Sequence, residues 1–404
     1  MTPTEPIRLA ARAAHLPASA TAALDARAKQ LIADGVDVIN LTSGEPAFAT
    51  VEPAALAAIA AIGEDFTRYT PAAGIPQLRS SVADYLNRHG TTYTADSVVI
   101  TAGAKQALHY AFTGLLETGD EVLVPAPYWV SYPHMVALVG GVPVEVRPAP
   151  GNSLKITPQQ VRQAITPRTR VLLLNSPANP SGVVYTRAEL TALAAVAAEH
   201  DLIIISDEIC DHWVYETTFT SVAALGPDIA ARTLTVGGMS KTFAMTGWRI
   251  GWIAAPAHVS RAMAAIQSHT ASAPSSVSQR AAHGALTADL AQELNRRRAA
   301  LDERRKAVLK ALSDVPGVQV DGEAQGAFFV FADVSKTYGL RSSTHTISSA
   351  ADFAGLLLSE ARVAVVPGAD FAAPDHVRIS YTVPPDRLTE GLRRISNFVS
   401  GLAT

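Results

Sequence analysis

The 404-residue chain has a single cysteine, Cys210, and therefore no intramolecular disulfide framework. It lacks a surplus of either charge, with 33 Lys and Arg against 36 Asp and Glu for a net charge of −3. Its isoelectric point is near 6.4, and its basic residues are scattered, so electrostatics give no support to a nucleic-acid role. Long apolar runs are also missing. Val171–Leu174 and Leu202–Ile205 are strand-length, well short of the roughly 20 residues that span a bilayer, so no membrane segment is predicted. The opening stretch MTPTEPIRLAARAAHLPASA has neither the charged start nor the unbroken apolar core of a signal peptide, and a cytoplasmic location is expected. No fixed-period repeat or low-complexity linker interrupts the chain, and Ala-rich stretches such as 187–199 read as packed helices.

What is present is material for a large core. Hydrophobic residues make up 48% of the chain, mean hydropathy is +0.16, and the length exceeds one simple core, so two domains are expected. Between about residues 95 and 255, short β-branched runs alternate with longer Ala- and Leu-rich stretches. Predicted strands are 97–101, 121–125, 142–146, 171–175, 202–206 and 233–236; predicted helices are 104–117, 158–165, 187–200 and 287–313. That alternation is the pattern of an α/β fold, a mostly parallel sheet flanked by helices. Past residue 313 the segments shorten, with strands expected in 326–332, 363–368 and 376–381. The division expected is a large domain over 46–312 and a smaller α+β domain formed by 1–45 with 313–404.

In a parallel sheet ligands bind beyond the carboxyl ends of the strands, which selects Gly103, Tyr128, Asn179, Asp207 and Lys241. Lys241 is the most informative. A lysine taken alone is most often a solvated surface residue, but this one follows a strand inside the Gly-rich stretch GGMSKTFAMTGWRIG, residues 237–251. Burial there would lower its pKa and leave an amine free to attack an aldehyde.

The motifs Ser43-Gly-Glu-Pro46, Thr101–Leu108, Pro127–Pro133, Asn175–Gly182, Ser206–Ile209, Ser240-Lys241, Gly247–Gly251 and Val366–Gly368 run in order along nearly the whole chain. Together they resemble the class I aminotransferase family of fold-type I pyridoxal-phosphate enzymes, especially its prokaryotic aspartate aminotransferase branch. The resemblance implies pyridoxal 5′-phosphate as cofactor, amino-acid and 2-oxo-acid substrates, and a homodimer with shared active sites. It makes Lys241 the lysine that holds the cofactor as a Schiff base and then acts as general base on the α-proton. Asp207 would keep the pyridine nitrogen protonated, the alternative being a helix N-cap. Asn179 matches the asparagine at the cofactor's 3-hydroxyl, which also orients the bound carboxylate, while Asn175 ends its strand and shapes the turn. Gly103, Ala104 and Lys105 at a helix start and the bidentate Arg249 would hold the phosphate, and Ser240 and Cys210 also belong to the cofactor site. Tyr69 matches the tyrosine that reaches a neighbouring subunit's phosphate, or is a loop tyrosine. Trp129 would stack on the ring, or is a core tryptophan. Arg378 would grip the substrate α-carboxylate, with Gly44 as a backbone contact. No metal ligand set is expected.

Cys210 departs from this pattern, because the family has a tyrosine there that hydrogen-bonds the cofactor's 3-hydroxyl. A thiol is a weaker and shorter donor. Either a neighbour such as Tyr215 compensates, or reaction specificity has changed. The leading expectation is amino-group transfer to a 2-oxo acid. The alternative is β- or γ-elimination or replacement, with S-adenosylmethionine as one substrate choice. A cofactor-free binding protein on the same fold would need a lost lysine or an added DNA-binding domain, and the sequence has neither. Lys105 and the Ser19-Ala-Thr21 stretch match positions near the distal carboxylate in dicarboxylate-specific relatives. His109, Trp213 and His269 read as packing residues in segments near the pocket.

Overall fold

The computed structural model describes residues 7, 9–14, 16, 20–149, 151 and 153–403. Strand β1, Ile39–Asn40, opens the order of strands. A seven-stranded sheet follows, with β2 Val98–Thr101, β3 Glu121–Pro125, β4 Val142–Val146, β5 Thr169–Asn175, β6 Ile203–Asp207, β7 Thr233–Gly238 and β8 Gly251–Ala254. Its spatial order is β2-β8-β7-β6-β5-β3-β4. All neighbours are parallel except β8, which runs antiparallel to both β2 and β7. This bears out the α/β reading, while β8 itself escaped it.

The sheet is mostly parallel because both its faces are buried. Along β5, Val171 and Leu173 enter one apolar cluster with Leu108, Phe112 and Met135, while Leu172 and Leu174 enter another with Leu190, Leu193 and Val196. A strand covered on both sides has no solvent face to mark with polar residues, hence its unbroken apolar run. The helix Arg187–Glu199 starts where a capping box forms, with the Glu189 N–H donating to Thr186 Oγ1 at 3.2 Å and the Thr186 N–H to the Glu189 carboxylate at 2.6 Å.

The second, smaller domain is built on β9 Gln319–Val320, β10 Phe329–Asp333, β11 Val363–Ala364, β12 Val366–Pro367 and β13 His376–Ser380. Four of these form an antiparallel sheet, β12-β13-β10-β9, and β11 pairs in parallel with β1. The N-terminal segment thus joins the C-terminal part of the chain, and Ile39 and Leu41 sit in one core with Phe328, Phe353 and Ile395. The helix Pro385–Ser400 buries Leu388, Leu392, Ile395 and Val399 at helical spacing. Each such side chain contributes about 1.5–3 kcal/mol of transfer free energy.

Three expectations need correction. The helix expected over 287–313 starts later, at Ala291, because the preceding helix ends at Thr287 and the Asp289 carboxylate in the turn accepts the Ala291 N–H at 3.2 Å. The strand expected from Gly326 begins at Phe329, because the Gly326 and Ala327 N–H groups donate to Gly182 and Trp213 carbonyls and Ala327 has φ +54°. The run 363–368 is divided, since β11 pairs with β1 and β12 with β13. Among the described residues no helix is long and apolar enough to cross a membrane.

Candidate active site

Beyond the carboxyl ends of β5, β6 and β7 lies a cavity of about 640 Å³, closed on its other side by the smaller domain. Its walls carry Gly44, Ala104, Lys105, Trp129, Asn179, Asp207, Cys210, Ser240, Lys241, Arg249 and Arg378, each of which was singled out in the sequence. Gly103 lies directly behind this wall as the N-cap of the helix Ala104–Leu115. Tyr69 is 95% exposed and outside the cavity of its own chain. Tyr128 is also outside, with its hydroxyl on the Glu145 carboxylate at 3.2 Å.

The cavity floor is acid and base in close company. Asp207 ends β6; one carboxylate oxygen accepts the Tyr132 hydroxyl at 2.7 Å and the other the Ile209 N–H at 3.2 Å. Burial pushes its carboxyl above the usual range, and the Tyr132 bond works against that. Lys241 follows β7 and donates from Nζ to the Gly44 carbonyl. Burial draws its amine below the ordinary lysine value, and the Arg378 guanidinium pushes the same way. The Gly44 carbonyl is thus engaged by the lysine.

One end of the cavity is an anion cradle. Gly103 has φ +91°, and a Cβ there would fall 2.5 Å from Arg249 Nη2. A Cβ on Gly251 would fall 2.4 Å from the Ala104 nitrogen, so both glycines are required by close approach. The Gln106 N–H already donates to the Gly103 carbonyl at 3.1 Å, so in the first turn it is the Ala104 and Lys105 N–H groups that have no acceptor within the helix. Arg249 is held in the left-handed region, φ +57°, with its guanidinium on the carbonyls of Thr246 at 2.8 Å and Ala102 at 3.3 Å. Lys105 lies 4.8 Å over the Trp129 ring, and its amine is lowered by burial and by Arg249. A helix start, a guanidinium and two glycines fit a phosphate, and the acid and amine beyond fit a pyridoxal ring.

At the other end Arg378, on β13, is buried and drawn down to about 10 by that burial. It donates to the Asn179 side-chain oxygen and the Thr42 carbonyl, both at 2.9 Å, and lies 4.4 Å over the Phe329 ring. Each of these bonds uses one of the two N–H groups on its nitrogen, so one on each is left for an anion, while the buried Nε has no partner among the described residues. Asn175 shapes the turn as expected, its side-chain oxygen accepting the Asn179 N–H at 2.9 Å.

Cys210 lines the cavity and is otherwise packed in the smaller domain's core; burial pushes its thiol up to about 12, so it stays neutral. Tyr215 does not compensate. Its hydroxyl donates to the Ala327 carbonyl at 2.8 Å inside that core and is absent from the cavity wall. Trp213 is fully buried against Phe48 as packing. His109 is half-buried and His269 exposed, both outside the cavity. Ser19 lies outside the described residues, as does the Thr21 side chain.

Sequence reasoning missed Tyr132, although its i+3 spacing from Trp129 places it at the same helix start, where the two rings meet edge to face at 5.3 Å. It also missed Asp25 and Lys29 at the cavity mouth, paired at 2.8 Å, and Glu45, whose carboxylate accepts the Thr246 hydroxyl at 2.7 Å. No motif marks Asp25 or Lys29, whereas Glu45 stands inside Ser43-Gly-Glu-Pro46.

The family described as aminotransferase class I and II matches residues 36–395. An aspartate aminotransferase of Geobacillus stearothermophilus is 41% identical over 399 residues, covering 98% of this chain and 100% of the relative. Solved structures agree. The aspartate aminotransferase of Rhizobium meliloti superposes with a TM-score of 0.94 at 37% identity, covering 98% of this chain and 100% of the other. That of Thermus thermophilus with maleate gives 0.91 at 41% identity, covering 97% and 100%.

Proposed function

Since the chain belongs to the class I and II aminotransferases and moves an amino group onto a 2-oxo acid, we propose that its amino donor is a dicarboxylic amino acid, aspartate or glutamate. The observation that carries this reading is the cavity's pair of cationic ends: Arg378 with unused donor capacity beside Asn179, and Lys105 on the same wall as Trp129. One cation suits each carboxylate. The similar Thermus structure with maleate, itself a dicarboxylate, supports the choice. Elimination or replacement chemistry is not favoured, because the similar proteins are aminotransferases.

Pyridoxal phosphate is the family's cofactor, and this chain would hold it through Lys241, Asp207, Asn179, Trp129, Cys210, Ser240, Arg249 and the helix start at Gly103, Ala104 and Lys105. Bound there, it supplies an electron sink for the charge that develops at the substrate's α-carbon. The residues do the rest. Arg378 and Asn179 orient the α-carboxylate, with the Gly44 backbone beside it, and Trp129 excludes water from the reacting face. Lys241, its amine lowered by burial, takes the α-proton and returns it one carbon away. Asp207, held by Tyr132, would supply the carboxylate that keeps the cofactor's ring nitrogen protonated.

The enzyme works as a cytoplasmic homodimer with residues 46–312 as cofactor domain and 1–45 with 313–404 as the smaller one. The β1–β11 pairing supports that division. Exposed Leu56, Ile59 and Ile62 on one helix, and exposed Tyr69 nearby in sequence, support the dimer. The test is transfer of ¹⁵N from labelled amino acids to 2-oxoglutarate or oxaloacetate by the cofactor-loaded protein. Aspartate and glutamate should exceed leucine and phenylalanine by about 100-fold in kcat/KM, the size expected for one charged contact. Equal rates for all four would remove the dicarboxylate assignment.

A further inference from the structure

The segment after β6 has a second face that the chemistry above does not use. Asp207, Ile209 and Cys210 line the cavity, whereas Asp211 is buried behind it at 7% exposure. One Asp211 oxygen accepts the Tyr85 hydroxyl at 2.7 Å, with His89 Nε2 at 3.6 Å. The other accepts the His212 N–H at 2.8 Å and the Thr242 hydroxyl at 3.2 Å. Thr242 is the residue after Lys241 and is itself buried. Tyr85 comes from the helix Pro76–Asn87, so a single carboxylate joins three separate segments.

Burying a carboxylate costs several kcal/mol unless its oxygens are fully bonded, and apolar residues would pack the same space with less penalty. What the bonded carboxylate supplies instead is direction. Each donor must approach along a lone pair, so the Thr242 hydroxyl, and with it the backbone from which the Lys241 side chain rises, is held in one orientation. The Thr242 bond is the only one of the four that reaches the Lys241 loop. Proton transfer is sensitive to such placement: a shift of about 1 Å in a reacting group can cost roughly 100-fold.

We propose that Asp211 and Thr242 are positioning residues for Lys241, forming a clamp behind the cavity that aims its amine at the substrate's α-carbon. The proposal rests on Lys241 being the group that moves the α-proton. It is tested on the cofactor-loaded enzyme with aspartate and with aspartate deuterated at the α-carbon. Thr242→Val keeps the shape and removes the hydroxyl. It should lower kcat about 10-fold, leave KM within about two-fold and enlarge the isotope effect on kcat, because only the proton-transfer step is slowed. Thr242→Ser should restore all three values. Asp211→Asn keeps an oxygen for Thr242 and should lose less, about three-fold, and it serves alone if Thr242→Val does not fold. The double variant should be no slower than Thr242→Val, since the bond that Asp211→Asn weakens is already gone in Thr242→Val.

An unchanged kcat and isotope effect in Thr242→Val would overturn the clamp, as would losses that multiply in the double variant. So would a fall in kcat that Thr242→Ser fails to restore. Absence of amino transfer in the unaltered enzyme would instead count against the proposed function, so the two failures are distinct.

Discussion

The two faces of the stretch from Asp207 to His212 differ in what their polar groups face: the cavity on one side, the packed interior on the other. On the front, Asp207 carries a carboxyl raised by burial, Cys210 is a neutral thiol, and the facing Arg378 has a nitrogen without a partner. On the rear, Asp211 accepts donors on both carboxylate oxygens and Glu208 gathers three on one. One Glu208 oxygen accepts from the hydroxyls of Ser206 and Ser221 and the Val222 N–H, at 2.8, 3.1 and 3.0 Å. Residues of one short segment therefore divide into groups kept ready for a ligand and groups that fix the frame. Access to the cavity, more than residue type, separates the two.

The contrast is sharpest at Lys241. Lys241→Ala should abolish amino transfer by at least about 1,000-fold, since both the covalent anchor and the proton carrier go, while leaving the thermal midpoint nearly unchanged. Kinetics alongside a melting curve would show it, and a comparable loss of stability would break the distinction between faces. Next in size is Arg378→Lys, which removes the planar fork. A fall of about 100-fold in kcat/KM is expected, mostly in KM, from steady-state rates with aspartate.

At Glu208 the rear face answers in stability instead. Burial raises the Glu208 carboxyl from its ordinary 4.5 to about 7. Over that window the folded state keeps a proton that the unfolded state has lost, so the enzyme loses stability as pH rises through it. Glu208→Gln does not titrate and keeps the accepting oxygen. It should be more stable than the parent by about 1–3 kcal/mol at pH 8 and indistinguishable at pH 4, as read from urea unfolding. Activity at pH 8 should change little.

The smallest effect returns to the front. Cys210→Tyr puts a phenol where a neutral thiol faces the cavity. It should move the visible absorbance titration of the cofactor-loaded protein to lower pH, with only a few-fold change in kcat at the optimum. A titration that does not move would mean that the thiol has no part in tuning the site.

Much of this site was legible before any coordinates. Lys241, Asp207, Asn179, Trp129 and Arg378 each stand in a local motif, and each does line one cavity. Tyr132 was missed because nothing in the sequence says that its hydroxyl meets a carboxylate 75 residues away. Strand β8 was missed for a different reason: its four residues follow a loop that reads as a motif rather than as structure. The stand-in suggested for the missing phenol, Tyr215, failed because a nearby number does not tell which way a ring turns.

The sequence by itself determined the kind of chemistry and the kind of sheet, because both follow from short-range facts: which functional groups exist, and which runs are apolar enough to be buried on two faces. Only the tertiary structure decided partners and directions. Arg378 meets Asn179 and Thr42 across 199 and 336 residues, and Asp211 turns its back on the cavity that Cys210, its neighbour, helps to line. Those contacts are set by how the layers pack, and packing sums over the whole chain at once.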